Sequence, residues 1–113
     1  MPVENANRAV IDEEKLLGYL LSETHPVGRY KAAFFSSLGY SAADWERLRT
    51  DLREHVLKLD PDRERETQYG RKYEFHASLN GPNGRSAQVV SVWMVHSQED
   101  FPRFITAYPG TKS

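Results

Sequence analysis

The stretch His25-Pro26-Val27-Gly28-Arg29-Tyr30-Lys31 puts an imidazole and two cations around the start of a helix. Pro26 suits a first helical turn, because its fixed φ is helical and its missing N–H would go unbonded there anyway. A helix N-terminus favours anions, so a phosphate near this turn would meet backbone N–H groups as well as side chains. Lys31 has an unusual place in that helix. At about 100° per residue it falls between Leu38 and Phe35 on the arc that also holds Tyr30 and Phe34, which puts it in the middle of an apolar face. An unpaired buried ammonium is costly, so this lysine must snorkel to a rim or meet an anionic partner. The bland reading is a stem packed on the core with its charge in water. The chemical reading is a cation aimed at a phosphate, with His25 beside it as a neutral general base.

A second set of reactive side chains lies near the C-terminus, where Arg103, Thr106 and Tyr108 fall on one extended run. By strict alternation Thr106 and Tyr108 share a face and Arg103 takes the other, so the three meet at one site only if a bulge intervenes. His76 sits on the polar face of a strand, His96 at a strand end, and His55 on a helix without special signal. The four histidines form no i, i+4 pair and have no convergent carboxylates nearby, so no metal is expected. Nucleophile elbows, phosphate-binding glycine loops, dinucleotide fingerprints and paired-carboxylate motifs are absent, and no cofactor is expected. Metal-independent RNA cleavage remains open to these residues. It needs a base for the 2′-hydroxyl, a proton donor for the leaving oxygen and cations for the phosphorane-like transition state.

The elements that must position these groups change period along the chain. Asp12 to Leu21 supplies an N-cap, Glu13 and Glu14 in the first turn and a leucine face, and this helix should stop near Glu23 because His25 precedes a proline. A second helix runs from Pro26 to Leu38 and ends at Gly39. A third begins after Ser41, with Asp44 as a weak capping-box partner, and buries Trp45, Leu48, Leu52, Val56 and Leu59 before Asp60-Pro61 ends it. Then the period falls to 2: Lys72 to Leu79, Ala87 to His96 and Phe101 to Tyr108 read as strands, with Gly81-Pro82-Asn83-Gly84 as a turn and Arg63 to Gln68 as a polar edge strand. The fold class is α+β, three N-terminal helices followed by a three- to four-stranded antiparallel sheet. Trp93 reads as core rather than a stacking platform, and Phe34, Phe75 and Val89 are expected to be buried as well.

With 113 residues, one domain is expected over 12–109, between a flexible arm at 1–11 and a tail at 110–113. There are no cysteines, which removes disulfides, thiolate metal sites and cysteine nucleophiles together. No signal peptide or membrane span is visible, so the expected location is cytoplasmic. The net charge of −1 announces no strongly basic surface. Yet residues 1–24 carry two basic and five acidic groups, whereas residues 25–58 carry six basic and four acidic ones.

Taken together, Tyr19-Leu20-Leu21, His25-Pro26-x-Gly28-x-x-Lys31-Ala32-x-Phe34, Leu38-Gly39, Tyr69-Gly70 to Tyr73, Gly81-Pro82-x-Gly84-Arg85, Val92-Trp93 and Pro102-Arg103-Phe104-Ile105-Thr106-Ala107-Tyr108-Pro109 resemble a bacterial family of uncharacterised domains, found alone and as C-terminal modules of large secreted toxins. The resemblance covers residues 14–109. The order of helices and sheet is also similar to the barnase, EndoU, colicin and RelE group of toxin ribonucleases, a likeness at the level of fold. It implies a ribonuclease-like toxin module acting on RNA, with a cognate antitoxin or immunity partner. The implied site takes His25, Lys31 and Thr106 as catalytic candidates and Arg29, His76, Arg103 and Tyr108 as substrate-binding ones. The alternative is a non-enzymatic protein-interaction module.

Overall fold

The computed structural model describes residues 3–22 and 24–110. Three helical segments precede a four-stranded antiparallel sheet, so the fold is α+β in the expected order. The first, α1 (Glu13–Lys15), continues as a π-helical turn over Leu16–Leu20, where the Leu21 amide donates to the Leu16 carbonyl at 2.7 Å. The wider turn lets Leu16, Leu20 and Leu21 all reach the core. The expected stop at Glu23 lies outside the described residues.

Helix α2 (Gly28–Ser37) buries Gly28, Ala32 and Phe35, followed by Leu38, while Tyr30 is 67% exposed. Its buried arc is therefore centred on Ala32 and Phe35, and Lys31, expected in the middle of the apolar face, stands half-buried at its edge. Gly39 ends the helix at φ 98°, a conformation other residues rarely adopt. A 3₁₀ turn, Ala42–Asp44, leads into α3 (Trp45–Lys58), and neither Ser41 nor Asp44 makes the expected side-chain cap. Leu48, Leu52 and Val56 are fully buried, whereas Trp45 and Phe34 only flank the core, and Leu59, expected on the same stripe, is 37% exposed because the backbone turns extended after Lys58.

The sheet is a meander in which β1 (Arg63–Thr67), β2 (Gly70–Asn80), β3 (Ser86–His96) and β4 (Arg103–Pro109) lie side by side in chain order. Its inner face gives Phe75, Leu79, Val89, Trp93, Phe104 and Ala107 to the same core as the helices. Trp93 is fully buried and donates through Nε1 to Ser91 Oγ at 3.0 Å, which makes it core, as read from the sequence.

Residues 3–11, expected as a flexible arm, are packed: Val3, Ala6, Ala9 and Ile11 are buried. Val10 bonds β4 on both sides, its N–H to the Pro102 carbonyl at 2.9 Å and its carbonyl from the Phe104 N–H at 2.8 Å. The arm's apolar side chains cover core, although its sequence carries no helical or strand periodicity. Of the expected tail, Gly110 is bonded to Gln88 and the rest lies outside the described residues.

Candidate functional site

The feature that assembles the site is a break in the alternation of β4. Val92 faces Thr106 but Trp93 faces Phe104, so Ile105 is an extra residue and the register shifts by one. Phe104 and Ala107 can then both be buried on the inner face, which turns Thr106 and Tyr108 outward together with Arg103. The bulge is what strict alternation lacked. Cross-strand partners share a face, so the outer face carries the rows Arg63, Glu74, Val92, Thr106 and His76, Val90, Tyr108.

Lys31 meets this face from α2. Its Nζ donates to Thr106 Oγ1 at 2.9 Å and to Tyr19 Oη at 2.6 Å, and it lies 4.9 Å from the Tyr19 ring centre and 5.8 Å from that of Tyr108. Among the described residues no carboxylate pairs with it. An ammonium has three N–H donors, so one remains for a ligand oxygen. The Tyr19 hydroxyl accepts from Lys31 and, at 3.4 Å, from Thr106, which leaves its own proton to be donated elsewhere. Burial pushes the Tyr19 phenol up, but the hydrogen bonds from Lys31 and Thr106, with the charges of Lys31 and Lys15, outweigh it and hold the group below its ordinary value.

His25 reaches the cluster through Tyr19, whose ring it meets edge to face at 5.0 Å between centres. Its Nδ1 accepts from the Val27 and Gly28 amides at 3.0 and 2.9 Å, closing the first turn of α2 as a cap. A nitrogen that accepts carries no proton, so the proton of the neutral ring sits on Nε2. Gly28 explains the closeness of the two segments. A Cβ there would lie 2.0 Å from the Tyr19 carbonyl oxygen, so only glycine lets the π turn pack on α2 and bring Tyr19 to Lys31.

The other expected residues divide. Tyr108 and His76 share the outer face, the His76 amide being held by Asp62 Oδ2 at 2.7 Å. Arg103, on the same face, is tied to Glu99 at 2.8 Å and Asp12 at 3.5 Å. Arg29 lies on the far side of α2, stacked over Tyr30 at 4.8 Å, and lines a cleft of about 480 Å³ with Leu21, Ala33, Ser36 and Tyr40. That cleft does not include Lys31. Tyr19 is the member of this cluster that the sequence did not single out; its one signal was a tyrosine set into a leucine face. Among the described residues no cluster of three or more His, Asp or Glu side chains is arranged to hold a metal.

Residues 2–111 match the family described as a domain of unknown function (DUF6883). The chain belongs to this family. The DUF6883 match takes in every residue of the Lys31 cluster. A solved contact-dependent growth inhibition toxin–immunity protein complex from Klebsiella pneumoniae 342 contains a chain similar to this one, with a TM-score of 0.74 at 19% identity over 97% of this chain and 100% of that one. At that identity the likeness shows a shared fold. Among curated proteins none matches the sequence. Among the described residues no helix is long and apolar enough to cross a membrane.

Proposed function

We propose that this DUF6883 domain is a toxin module that cleaves RNA by metal-independent transesterification at the Lys31 cluster. The observation that carries the reading is a half-buried ammonium whose partners are the hydroxyls of Tyr19 and Thr106, with no carboxylate pairing with it among the described residues. Such a cation suits the extra negative charge of a phosphorane-like transition state. In the reaction the 2′-oxygen attacks phosphorus, the bond to the 5′-oxygen breaks, and the products are a 2′,3′-cyclic phosphate and a 5′-hydroxyl. Tyr19, with its free O–H and lowered pKa, protonates the departing 5′-oxygen. Thr106 accepts from Lys31 and donates to Tyr19, and so holds both groups in position.

His25 in its capped state offers an Nε2–H rather than a lone pair, so its part is to fix the α2 turn and donate to the phosphate, not to act as base. Among the described strand residues of the outer face Glu74 is the only carboxylate, in the row of Thr106, and it takes the 2′ proton. The shared fold with a chain of a toxin–immunity complex supports a role in such a system, with a cognate immunity or antitoxin protein as partner and action in the cytoplasm of the affected cell.

A second reading, a non-enzymatic interaction module or the immunity side of such a pair, is favoured by Val27 and Tyr30, which are 55% and 67% exposed on α2 and the turn before it. Inducible expression in bacteria separates the two. The toxin reading expects growth arrest with RNA fragmentation for the natural chain and normal growth for Lys31→Ala; harmless expression of both, with intact RNA, favours the interaction module.

A further inference from the structure

A chain with a net charge of −1 can still present a basic surface if its charges are sorted, and the register of this sheet sorts them. In β1, Arg63 faces Glu74 and Arg65 faces Lys72, while Glu64 faces Tyr73 and Glu66 faces Arg71. Because strand side chains alternate, this run sends both arginines to the outer face and both glutamates to the inner side. On the inner side Arg71 bonds both Glu64 and Glu66. On the outer side Arg63, Arg65 and Lys72 form no ion pair among the described residues, and they line a cleft of about 220 Å³ with Glu74; Glu64 also borders it, but its carboxylate is bonded to Arg71.

Two tyrosines register the separation. Tyr73, on the inner side, is pushed up by burial and further by Glu64 and Glu66, against Arg71. Tyr108, on the outer face, is pushed up by burial and by Glu74, and is pulled back by Arg63.

We propose that the outer face of the sheet is a phosphate-binding track for an unpaired RNA strand, running from Lys31 at the β4 edge to Lys72 on β2 and Arg63 and Arg65 on the β1 edge. The identity of the polyanion rests on the ribonuclease reading above. Three strand intervals of about 4.8 Å separate β4 from β1, roughly 14 Å, so the arginines hold phosphates beyond the one that reacts. Val90 and Val92, buried yet outside the main core, form the floor between them, and Tyr108 and His76 offer rings to bases that are not paired.

The test pairs binding with cleavage, using the full chain. A labelled single-stranded RNA 20-mer is titrated by fluorescence anisotropy at several salt concentrations with the natural protein, R63Q/R65Q and E64Q/E66Q. Loss of two phosphate contacts should weaken R63Q/R65Q at least about tenfold and flatten the slope of log affinity on log salt by about 1.4, while E64Q/E66Q binds no worse than the natural protein. In cleavage, R63Q/R65Q should raise KM for the 20-mer at least about tenfold more than it raises KM for a dinucleoside phosphate, which is too short to reach β1. Equal affinity and salt slope for natural protein and R63Q/R65Q overturn the track even if RNA is cut normally, as does a natural protein that prefers duplex RNA. A natural protein that binds the 20-mer in this salt-dependent, arginine-dependent way but cuts nothing supports the track and overturns only the ribonuclease reading.

Discussion

Lys31 Nζ and Thr106 Oγ1 are hydrogen-bonded at 2.9 Å although 75 positions separate them in the chain. The bond joins the second helix to the last strand, so the cluster exists only while helix and sheet are docked and while the bulge at Ile105 keeps Thr106 turned outward. The proposed chemistry and the tertiary structure are therefore coupled at this point. Variants must be chosen to remove a functional atom while leaving the docking in place.

Tyr19→Phe is such a variant. It keeps the ring against His25 and under Lys31 and removes only the hydroxyl. Stability should change by about 1 kcal/mol or less, the net worth of an ordinary hydrogen bond. The cleavage rate should fall about 100-fold or more, as for loss of a general acid. In the natural protein the rate should decline as pH rises through the lowered pKa of Tyr19, because a general acid must be protonated. Rate–pH profiles should show this alkaline limb absent in Tyr19→Phe, and an unchanged limb would assign it to another group.

Thr106→Val tests the sheet side of the cluster. The substitution preserves volume but removes the oxygen that accepts from Lys31. Cleavage should drop roughly tenfold, by about 1.4 kcal/mol of lost stabilisation, and Thr106→Ser should recover most of it. Equal impairment of both would point to packing by the methyl group instead.

Gly28→Ala examines how the cluster is held. The added Cβ would meet the Tyr19 carbonyl at 2.0 Å, so the π turn must move off α2 and carry Tyr19 with it. Urea unfolding should show a loss of about 1 to 3 kcal/mol, as for overpacking, together with lost cleavage. Full activity in Gly28→Ala would show that the contact between Tyr19 and Lys31 is dispensable.

Most of the fold was legible in the sequence because its signals were periodic and local. The leucine spacing of α3, the alternation from Tyr73 to Leu79 and the glycine at position 39 each mark an element without knowledge of its neighbours. The phase of α2 was not, since Tyr30 looks apolar in a count of residues and only packing reveals that the sheet is met by Ala32 and Phe35. Thr106 and Lys31 could be picked out by chemistry, but their meeting depends on a bulge that leaves no mark of its own in the residues around Ile105. Tyr19 was hidden for the same reason: the π turn that aims it is a product of docking. The charge sorting of β1 was present as an alternation, although its meaning needed the register with β2.

His55 provides a pH test independent of function. It is buried, shares a hydrogen bond of 3.1 Å with Ser91, and burial pushes its imidazole below its ordinary value; the Ser78 backbone and Asp51 pull the other way without offsetting this. The unfolded chain then binds the proton more readily than the folded one. Stability contributed by the neutral ring is complete above about pH 6.5 and is lost as pH falls from there through the folded-state pKa. Urea midpoints at several pH values should decline over that window, and His55→Gln should show a shallower decline. Parallel curves for the two proteins would mean that His55 does not contribute.

The central claim is that Lys31 anchors an RNA-cleaving site, and the most direct measurement is product-end analysis by mass spectrometry after incubating purified protein with RNA in the presence of a chelator. The natural protein should leave fragments ending in a 2′,3′-cyclic phosphate with matching 5′-hydroxyl ends, and Lys31→Ala, folded by circular dichroism, should leave the RNA intact. Intact RNA with the natural protein, or cyclic-phosphate ends at the natural rate from Lys31→Ala, would contradict the account.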